Sequence, residues 1–306
     1  MGALDGRIAI ITGAGRGVGR EHALLFAHEG AKVVVNDLGG GPHGEGPHGE
    51  STASHPATEV VEEIRGFGGE AITNFDDVSS WAGAERMVRS AVDTFGGLDI
   101  LVNNAGILRD RMLVNMTEQD WDDVMRVHLK GHFCPTRAAA AYWRGRVKEG
   151  KEVKASIVNT SSTSGLFGNI GQTNYGAAKS GIATFSTIAA SELSRYGVRV
   201  NAIAPAARTR LTTGSPGAAD LVVRRGEGFD EFDPANIAPF VAYLATADCP
   251  INGRVFFVVG GEVHLFQPWA IVDKITVDHR WSVDELAKEG ARLATVPFHL
   301  GRPKLG

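Results

Sequence analysis

A short apolar run that ends in glycines and passes at once into a helical pattern constrains this chain more than any other feature. Arg7-Ile8-Ala9-Ile10-Ile11-Thr12 is rich in β-branched residues, and Gly13-Ala14-Gly15-Arg16-Gly17-Val18-Gly19 follows it. From Glu21 to His28 the apolar residues Leu24, Leu25 and Ala27 then recur as on one side of a helix. Glycines permit the tight turn and let the backbone approach a ligand, while the helix N-terminus offers free N–H groups and partial positive charge. Strand, glycine turn and helix together form the context in which such a motif seats a dinucleotide pyrophosphate. A second strand pattern, Lys32-Val33-Val34-Val35-Asn36, ends at Asp37. That carboxylate falls about 20 residues past the turn, where an acidic side chain meets the hydroxyls of the adenosine ribose.

A second constellation lies in the middle of the chain. Tyr175 and Lys179 are four residues apart, so on a helix both side chains reach one pocket. A neighbouring ammonium favours phenolate and is expected to draw the tyrosine pKa down from its usual value of about 10. Ser162 follows the apolar run Ala155-Ser156-Ile157-Val158-Asn159, where a strand would deliver its hydroxyl to that base. A Tyr-x-x-x-Lys pair alone is also what an ordinary surface helix shows, so its meaning depends on the dinucleotide seat.

Between these landmarks strand and helix patterns alternate. Helices are expected over Glu59–Phe67, Trp81–Phe95 and from Thr117, whose Thr-x-x-Asp spacing to Asp120 is a capping pattern. Another is expected after Tyr175, through Ile182, Phe185, Ile188 and Leu193. Strands are expected at Ala71–Phe75, Asp99–Val102, Val198–Ile203 and Val255–Val259, some apolar throughout as in a sheet buried on both faces. The expected fold is α/β, a doubly wound parallel sheet of about seven strands with helices on both faces. The tail adds an expected strand at Ile275-Thr276-Val277 and an amphipathic helix over Val283–Leu293.

Composition narrows the function classes. A formal charge of -4 gives no basic footprint for nucleic acid. Two cysteines, Cys134 and Cys249, provide no disulfide framework or metal-ligand spacing and read as core residues in a reducing cytoplasm. There is no signal-peptide pattern, and no apolar run reaches the roughly 18 residues of a membrane span. Residues 39–57 form a Gly/His-rich insertion with the repeat Gly-Pro-His-Gly-Glu at 41–45 and 46–50. His43, His48 and His55 with Glu45 and Glu50 find no further ligands elsewhere in the chain, so a mobile, solvated loop is expected there and no metal.

The spacing Thr12-Gly13-x-x-x-Gly17-x-Gly19 resembles the short-chain dehydrogenase/reductase family. So do Asp77-Val78, Asn103-Asn104-Ala105-Gly106, Ser162 with Tyr175 and Lys179, and Asn201-Ala202-Ile203-Ala204-Pro205, all in order over about residues 5–262. The resemblance implies a Rossmann-type dehydrogenase domain over 1–265 and a homodimer or homotetramer, the helix after Tyr175 serving partly for subunit packing. It implies cofactor contacts from Gly13, Arg16, Gly17, Val18, Gly19, Asp37, Asp77, Val78, Asn104, Ala105, Gly106, Tyr175, Lys179 and Pro205. Tyr175 would then be the general base, Lys179 would tune it and bind the nicotinamide ribose, and Ser162 would hold the substrate oxygen. A helix asparagine completes the family's set; here the matching position is His128, open to a relay role through its backbone, a side-chain role, or a histidine hydrogen-bonded in the core.

A narrower likeness runs through Asn36-Asp37-Leu38-Gly39-Gly40, Asn104 to Arg111, Arg126-Val127-His128-Leu129 and Gly168 to Tyr175. These stretches resemble the branch containing the (3R)-hydroxyacyl-CoA dehydrogenase domain of peroxisomal multifunctional enzyme type 2, also described as a 17β-hydroxysteroid dehydrogenase. The extension over 266–306, expected to pack on the same domain or a neighbouring subunit, is similar too. The branch implies oxidation of a 3-hydroxyacyl-CoA in fatty-acid or sterol side-chain β-oxidation. The alternatives are a hydroxysteroid or other secondary-alcohol dehydrogenase, an NADPH-dependent 3-oxoacyl reductase, and a non-catalytic dinucleotide sensor. Pro205-Ala206-Ala207 departs from the family's Pro-Gly, and 206–234 is expected to be a substrate lid whose Arg208, Arg210, Arg224 and Arg225 either meet CoA phosphates or solvate the lid. Arg16 suits the 2′-phosphate of NADP, whereas Asp37 suits the free hydroxyl of NAD. Two unit charges 4 Å apart interact by roughly 4 kcal/mol at a surface-like dielectric. The arginine can swing away and the strand-end aspartate cannot, so NAD is the expected cofactor.

Overall fold

Short apolar strands alternating with helix-forming stretches give the chain its order. The computed structural model describes residues 2–40, 55–214, 219–224, 226–267 and 269–296. The first half runs β1 (Ile8–Thr12), α1 (Gly17–His28), β2 (Lys32–Asn36), α2 (Pro56–Gly66), β3 (Ala71–Asn74), α3 (Trp81–Phe95) and β4 (Ile100–Asn103). Next come α4 (Glu118–Val124), a π-helical turn at Met125–Lys130, α5 (Gly131–Lys148), β5 (Ala155–Thr160), α6 (Thr163–Phe167) and α7 (Thr173–Leu193). The chain continues with β6 (Val198–Ala206), α8 (Arg210–Thr213), α9 (Ala238–Ala245), β7 (Val255–Val259), β8 (Glu262–Leu265) and α10 (Val283–Glu289).

The strands form one sheet in the order β3-β2-β1-β4-β5-β6-β7-β8, parallel up to β7. Side chains alternate across it with period two. Ala9, Ile11, Val33, Val35, Ile100 and Val102 enter the core beneath α1, α2 and α9, where Phe26, Ile64 and Val241 are buried. Ile8, Ile10, Val34 and Leu101 face Met87, Trp143 and Ala190 of α3, α5 and α7 on the opposite side. Both faces are therefore covered, the Rossmann-type arrangement the apolar strands imply. Strand order reverses between β1 and β4, and the crevice at their C-terminal ends is where such sheets bind ligands.

Most helix starts follow local chemistry. Thr117 and Asp120 form the reciprocal capping box over α4, and Ser80 caps α3 by accepting from Gly83 N, contacts worth about 1 kcal/mol each. The helix expected from Glu59 begins earlier, at Pro56, because the His55 ring accepts from Ala57 N and Pro56 suits the first helical turn. His55 thus has a structural task; the Gly-Pro-His-Gly-Glu repeat at 41–45 and 46–50 lies outside the described residues. Among those described, no group of three or more His, Cys, Asp or Glu is arranged to hold a metal ion, and no helix is long and apolar enough to cross a membrane.

The C-terminal expectations need correction. The sheet has an eighth strand, β8, which pairs antiparallel with β7 across a turn at Gly260, whose φ is +51°. Glu262 and His264 interrupt its apolar residues, so this mostly exposed edge strand carries no apolar run. Ile275–Val277 forms no strand; it stands in irregular chain with no ladder partner. The final helix is shorter than Val283–Leu293, since α-helical geometry ends at Glu289 and a 3₁₀ stretch follows over Gly290–Thr295.

His22 in α1 is wholly buried, and neither ring nitrogen has a hydrogen-bond partner among the described residues. Burial pushes its pKa down to about 3, and His132 in α5 is likewise pushed down to about 3, first by burial. Folding must keep both rings neutral, so their contribution is complete above the unfolded value near 6.5 and is lost as pH falls towards 3. Each costs up to ~1.4 kcal/mol per pH unit in that window. The thermal midpoint is expected to fall between pH 7.5 and 5, and His22→Leu to flatten that dependence; equal slopes in both proteins would refute the assignment.

Candidate active site

The glycine turn and the loop after β4 come together because the turn carries no side chains where they meet. Gly13 and Gly17 adopt φ of +60° and +56°, the left-handed region that only glycine enters without strain. A Cβ on Gly13 would lie 2.7 Å from Ala105 Cα, and one on Gly19 would lie 2.2 Å from Gly13 O. Asn104 fastens the approach, its Nδ2 donating to Thr12 O and Gly13 O at 3.1 Å each. The Thr12 hydroxyl accepts from Asn104 N at 2.9 Å and from Ala105 N at 3.2 Å. Asp37 Oδ2 accepts from Gly15 N at 2.9 Å and its Oδ1 from Gly39 N at 2.8 Å, which fixes a carboxylate beside the turn.

A cavity of about 280 Å³ opens above these groups. Gly13, Arg16, Gly17, Val18, Asp37, Asp77, Val78, Asn104, Ala105, Gly106 and Pro205 line it, as do Ser162, Tyr175, Lys179 and His128. Gly19 does not line the cavity; it permits α1 to press onto the turn. The cavity also meets Ile107, Arg126 and Thr209, which sequence reasoning did not single out as site residues. Arg126 is recoverable in hindsight from charge, since its Nη1 reaches Asp77 Oδ2 at 3.3 Å and Ser79 Oγ at 3.1 Å. The bare cradle at Gly13 and Gly17, a helix N-terminus and the fixed Asp37 carboxylate fit a dinucleotide.

Ser162, Tyr175 and Lys179 meet at the end of β5. Ser161 Oγ donates to Lys179 O at 2.7 Å, and a Cβ on Gly165 would fall 2.5 Å from Ser180 N. These contacts hold α6 against α7 and bring the Ser162 hydroxyl into hydrogen-bonding reach of the Tyr175 phenol. Lys179 is buried, with Nζ donating to Thr160 O at 2.6 Å and lying 5.5 Å from the centroid of the Tyr175 ring.

The expected lowering of the tyrosine pKa is not what the structure displays. Burial pushes the phenol up to about 12; the Ser162 hydrogen bond opposes this, and Asp110 adds to it. Burial also pushes the Lys179 ammonium down to about 7. The lysine is desolvated and turned onto a backbone carbonyl, and no hydrogen bond joins it to the phenol.

His128 sits in the π-helical turn, a distortion common at functional sites. Its ring is buried and packs edge-on against Tyr175, centroids 5.1 Å apart at 87°. Nε2 lies 2.7 Å from Ile107 O, suited to the tautomer protonated at that nitrogen. Burial, and then Lys179, hold its pKa well below 6.5, so the ring is neutral. A Cβ on Gly106 would lie 2.4 Å from His128 Cε1, which explains the glycine.

The arginines of the 206–234 segment divide. Arg208 is ion-paired with Asp230 and donates from Nη1 to Val222 O at 3.1 Å, so it is engaged within the segment and not offered to a ligand. Arg210 lines the cavity, Arg224 is exposed, and Arg225 lies outside the described residues.

Residues 7–215 match the short chain dehydrogenase family. A hydroxyacyl-CoA dehydrogenase, ChsB1, of Mycobacterium tuberculosis is 44% identical over 92% of this chain and 87% of its own length. Peroxisomal multifunctional enzyme type 2 of Drosophila melanogaster is 47% identical over 81% of the chain, which spans 38% of that longer protein. Among solved structures, a short chain dehydrogenase from Mycobacterium avium superposes with a TM-score of 0.85 at 46% identity, covering 99% of this chain and 98% of that one. One from Burkholderia cenocepacia, in complex with NADP, gives 0.69 at 26% identity over 85% of this chain and 98% of its own.

Gly19→Ala is expected to weaken dinucleotide binding at least tenfold, because its methyl displaces Gly13 O and the Asn104 amide at 2.2 and 2.5 Å. Titration by fluorescence would check this, and unchanged affinity would contradict the close approach.

Proposed function

The chain belongs to the short-chain dehydrogenase family, and on that premise we propose that it oxidises a (3R)-3-hydroxyacyl-CoA to the 3-oxoacyl-CoA with NAD. The convergence of Ser162 and Tyr175 beside a buried Lys179 in the dinucleotide cavity supports this most directly. The likeness to a hydroxyacyl-CoA dehydrogenase over 92% of the chain supports the substrate class.

When bound, the dinucleotide supplies the acceptor for a hydride from the carbinol carbon. Ser162 and Tyr175 hold the substrate hydroxyl between them, and the Tyr175 oxygen, ionised to phenolate, takes its proton as the carbonyl forms. The Ser162 hydroxyl donates to the substrate oxygen while charge gathers there. Lys179 keeps positive charge beneath the tyrosine, opposing the desolvation that disfavours phenolate. His128 braces the phenol ring as a neutral edge contact, with its hydrogen bond to Ile107 O fixing the ring's orientation.

Asp37 supports NAD over NADP, since a 2′-phosphate would meet a carboxylate that two backbone N–H groups hold in place. Arg16 lines the same cavity and favours the phosphate, but its long side chain is free to turn aside. The working unit is a homodimer or homotetramer in this reading, supported by the exposed Phe133 of α5 and Ile188 of α7.

Initial rates of NAD reduction with a (3R)-3-hydroxyacyl-CoA, its free acid and a free hydroxysteroid separate the possible substrates. The thioester is expected to have kcat/KM at least tenfold above the free acid. Equal values would exclude the acyl-CoA reading, and a preference for the steroid would replace it. With the thioester, NAD is expected to exceed NADP at least tenfold in kcat/KM, and Asp37→Ala to narrow that ratio.

A further inference from the structure

Tyr175 stands in the first turn of α7, where a helix does not hold its own backbone. The first N–H groups of a helix have no partner inside it, and Gln172, at the cap, supplies no side-chain bond to them. Its amide turns elsewhere, Nε2 donating to Asp110 Oδ2 at 2.9 Å. Gly171 O, four residues before the tyrosine, accepts from Arg111 N at 2.8 Å beside a short parallel bridge between Arg111 and Gln172. Tyr175 N donates instead to Asn174 Oδ1 at 2.7 Å. The same amide donates from Nδ2 to Arg109 O at 3.1 Å and to Asp120 O at 3.0 Å. Asn174 is wholly buried, so removing it leaves polar backbone groups without the partner they had, which is costlier than losing an exposed bond.

We propose that Asn174 is a positioning residue that acts through Tyr175: one buried amide ties the tyrosine N–H, the loop after β4 and α4 together, and so sets where the phenol stands against Ser162. This rests on Tyr175 being the general base. Arg109 lies two residues past Ile107, whose carbonyl holds the His128 ring that packs on the tyrosine. Asp120 belongs to α4. Joining all three takes an acceptor and two donors on one short planar group, which asparagine has and aspartate, serine and alanine lack. Lys179, one turn further on, is fixed separately through Thr160 O. The glycine turn, Asp37 and Asn104 are likewise fastened by bonds of their own. Loss of the Asn174 amide therefore disturbs the proton transfer and spares the seat of the dinucleotide.

Asn174→Ala is expected to lower kcat for alcohol oxidation by about ten- to a hundredfold, the scale of a misplacement of roughly 1 Å. The dissociation constant for NAD, from fluorescence titration, is expected to stay within about twofold, the split that marks a loss at the chemical step. Hydrogen exchange should quicken at the Tyr175 amide and keep its pace from Lys179 onward. Asn252→Ala serves as the control for a merely structural amide, because Asn252 bonds Val200 N at 2.9 Å and Ala190 O at 3.5 Å, at the far end of the same helix. It should lower the thermal midpoint and leave kcat in place. An unchanged kcat or an unchanged Tyr175 exchange rate in Asn174→Ala overturns the proposal, as does NAD affinity falling in step with kcat or an equal loss of kcat in Asn252→Ala. If Asn174→Ala does not fold, Asn174→Ser, whose single hydroxyl cannot serve all three partners, is judged by the same outcomes. Tyr175→Phe separates the two ideas: undiminished turnover in that variant refutes the general base itself, whereas lost turnover there with kcat intact in Asn174→Ala refutes only the role of Asn174.

Discussion

The close approach of Gly13, Gly19 and Asn104 is the constraint on which the remaining geometry depends. A methyl group on either glycine would overlap backbone or the Asn104 amide, so β1, α1 and the loop after β4 lock together only with hydrogen there. Once locked, the turn presents N–H groups and Asp37 on one side of the crevice. The same loop continues through Gly106 and Ile107 to His128, and through Arg109 and Asp110 to the start of α7. One run of chain after β4 therefore registers the glycine turn against the Ser162 and Tyr175 hydroxyls. Precision of this kind is worth more to catalysis than to stability, since misplacement of about 1 Å costs on the order of a hundredfold in rate.

Electrostatics in the crevice oppose a ready-made base. Tyr175 is pushed up, Lys179 down, and His128 is held neutral, each with burial as the largest cause. The polar groups are satisfied mainly by backbone: Thr160 O for Lys179 and Ile107 O for His128. A low-dielectric site of this sort strengthens whatever charge later enters it. Burial thus favours the protonated phenol, and in our reading the Lys179 charge has to offset that for Tyr175 to act as a base.

Much of this was legible in the sequence because it rests on local pattern. Apolar runs, the glycine spacing and the Thr117–Asp120 cap identify themselves without tertiary knowledge, and β1 to β7 appear where such patterns lie. β8 escaped because Glu262 and His264 leave it without an apolar run, and Ile275–Val277 forms no strand because β-branched residues need a ladder partner to become one. Within the site, residue identities were readable and their couplings were not. The sequence leaves Arg208 open to a CoA phosphate or to solvent, whereas Asp230 holds it within its own segment. The expected effect of Lys179 on Tyr175 ignored desolvation, which depends on packing from β5 and the π-helical turn. Asp110 and Gln172 are sixty-two residues apart in sequence, and no local signal joins them.

In the proposed reaction a hydride leaves a carbinol carbon held between Ser162 and Tyr175. Incubation with NAD and a (3R)-3-hydroxyacyl-CoA deuterated at its carbinol carbon, followed by mass spectrometry of the reduced cofactor, tests that directly. One deuterium per NADH is the expected result. Product formed with an unlabelled reduced cofactor, or no reduction of NAD by any such thioester, would contradict it.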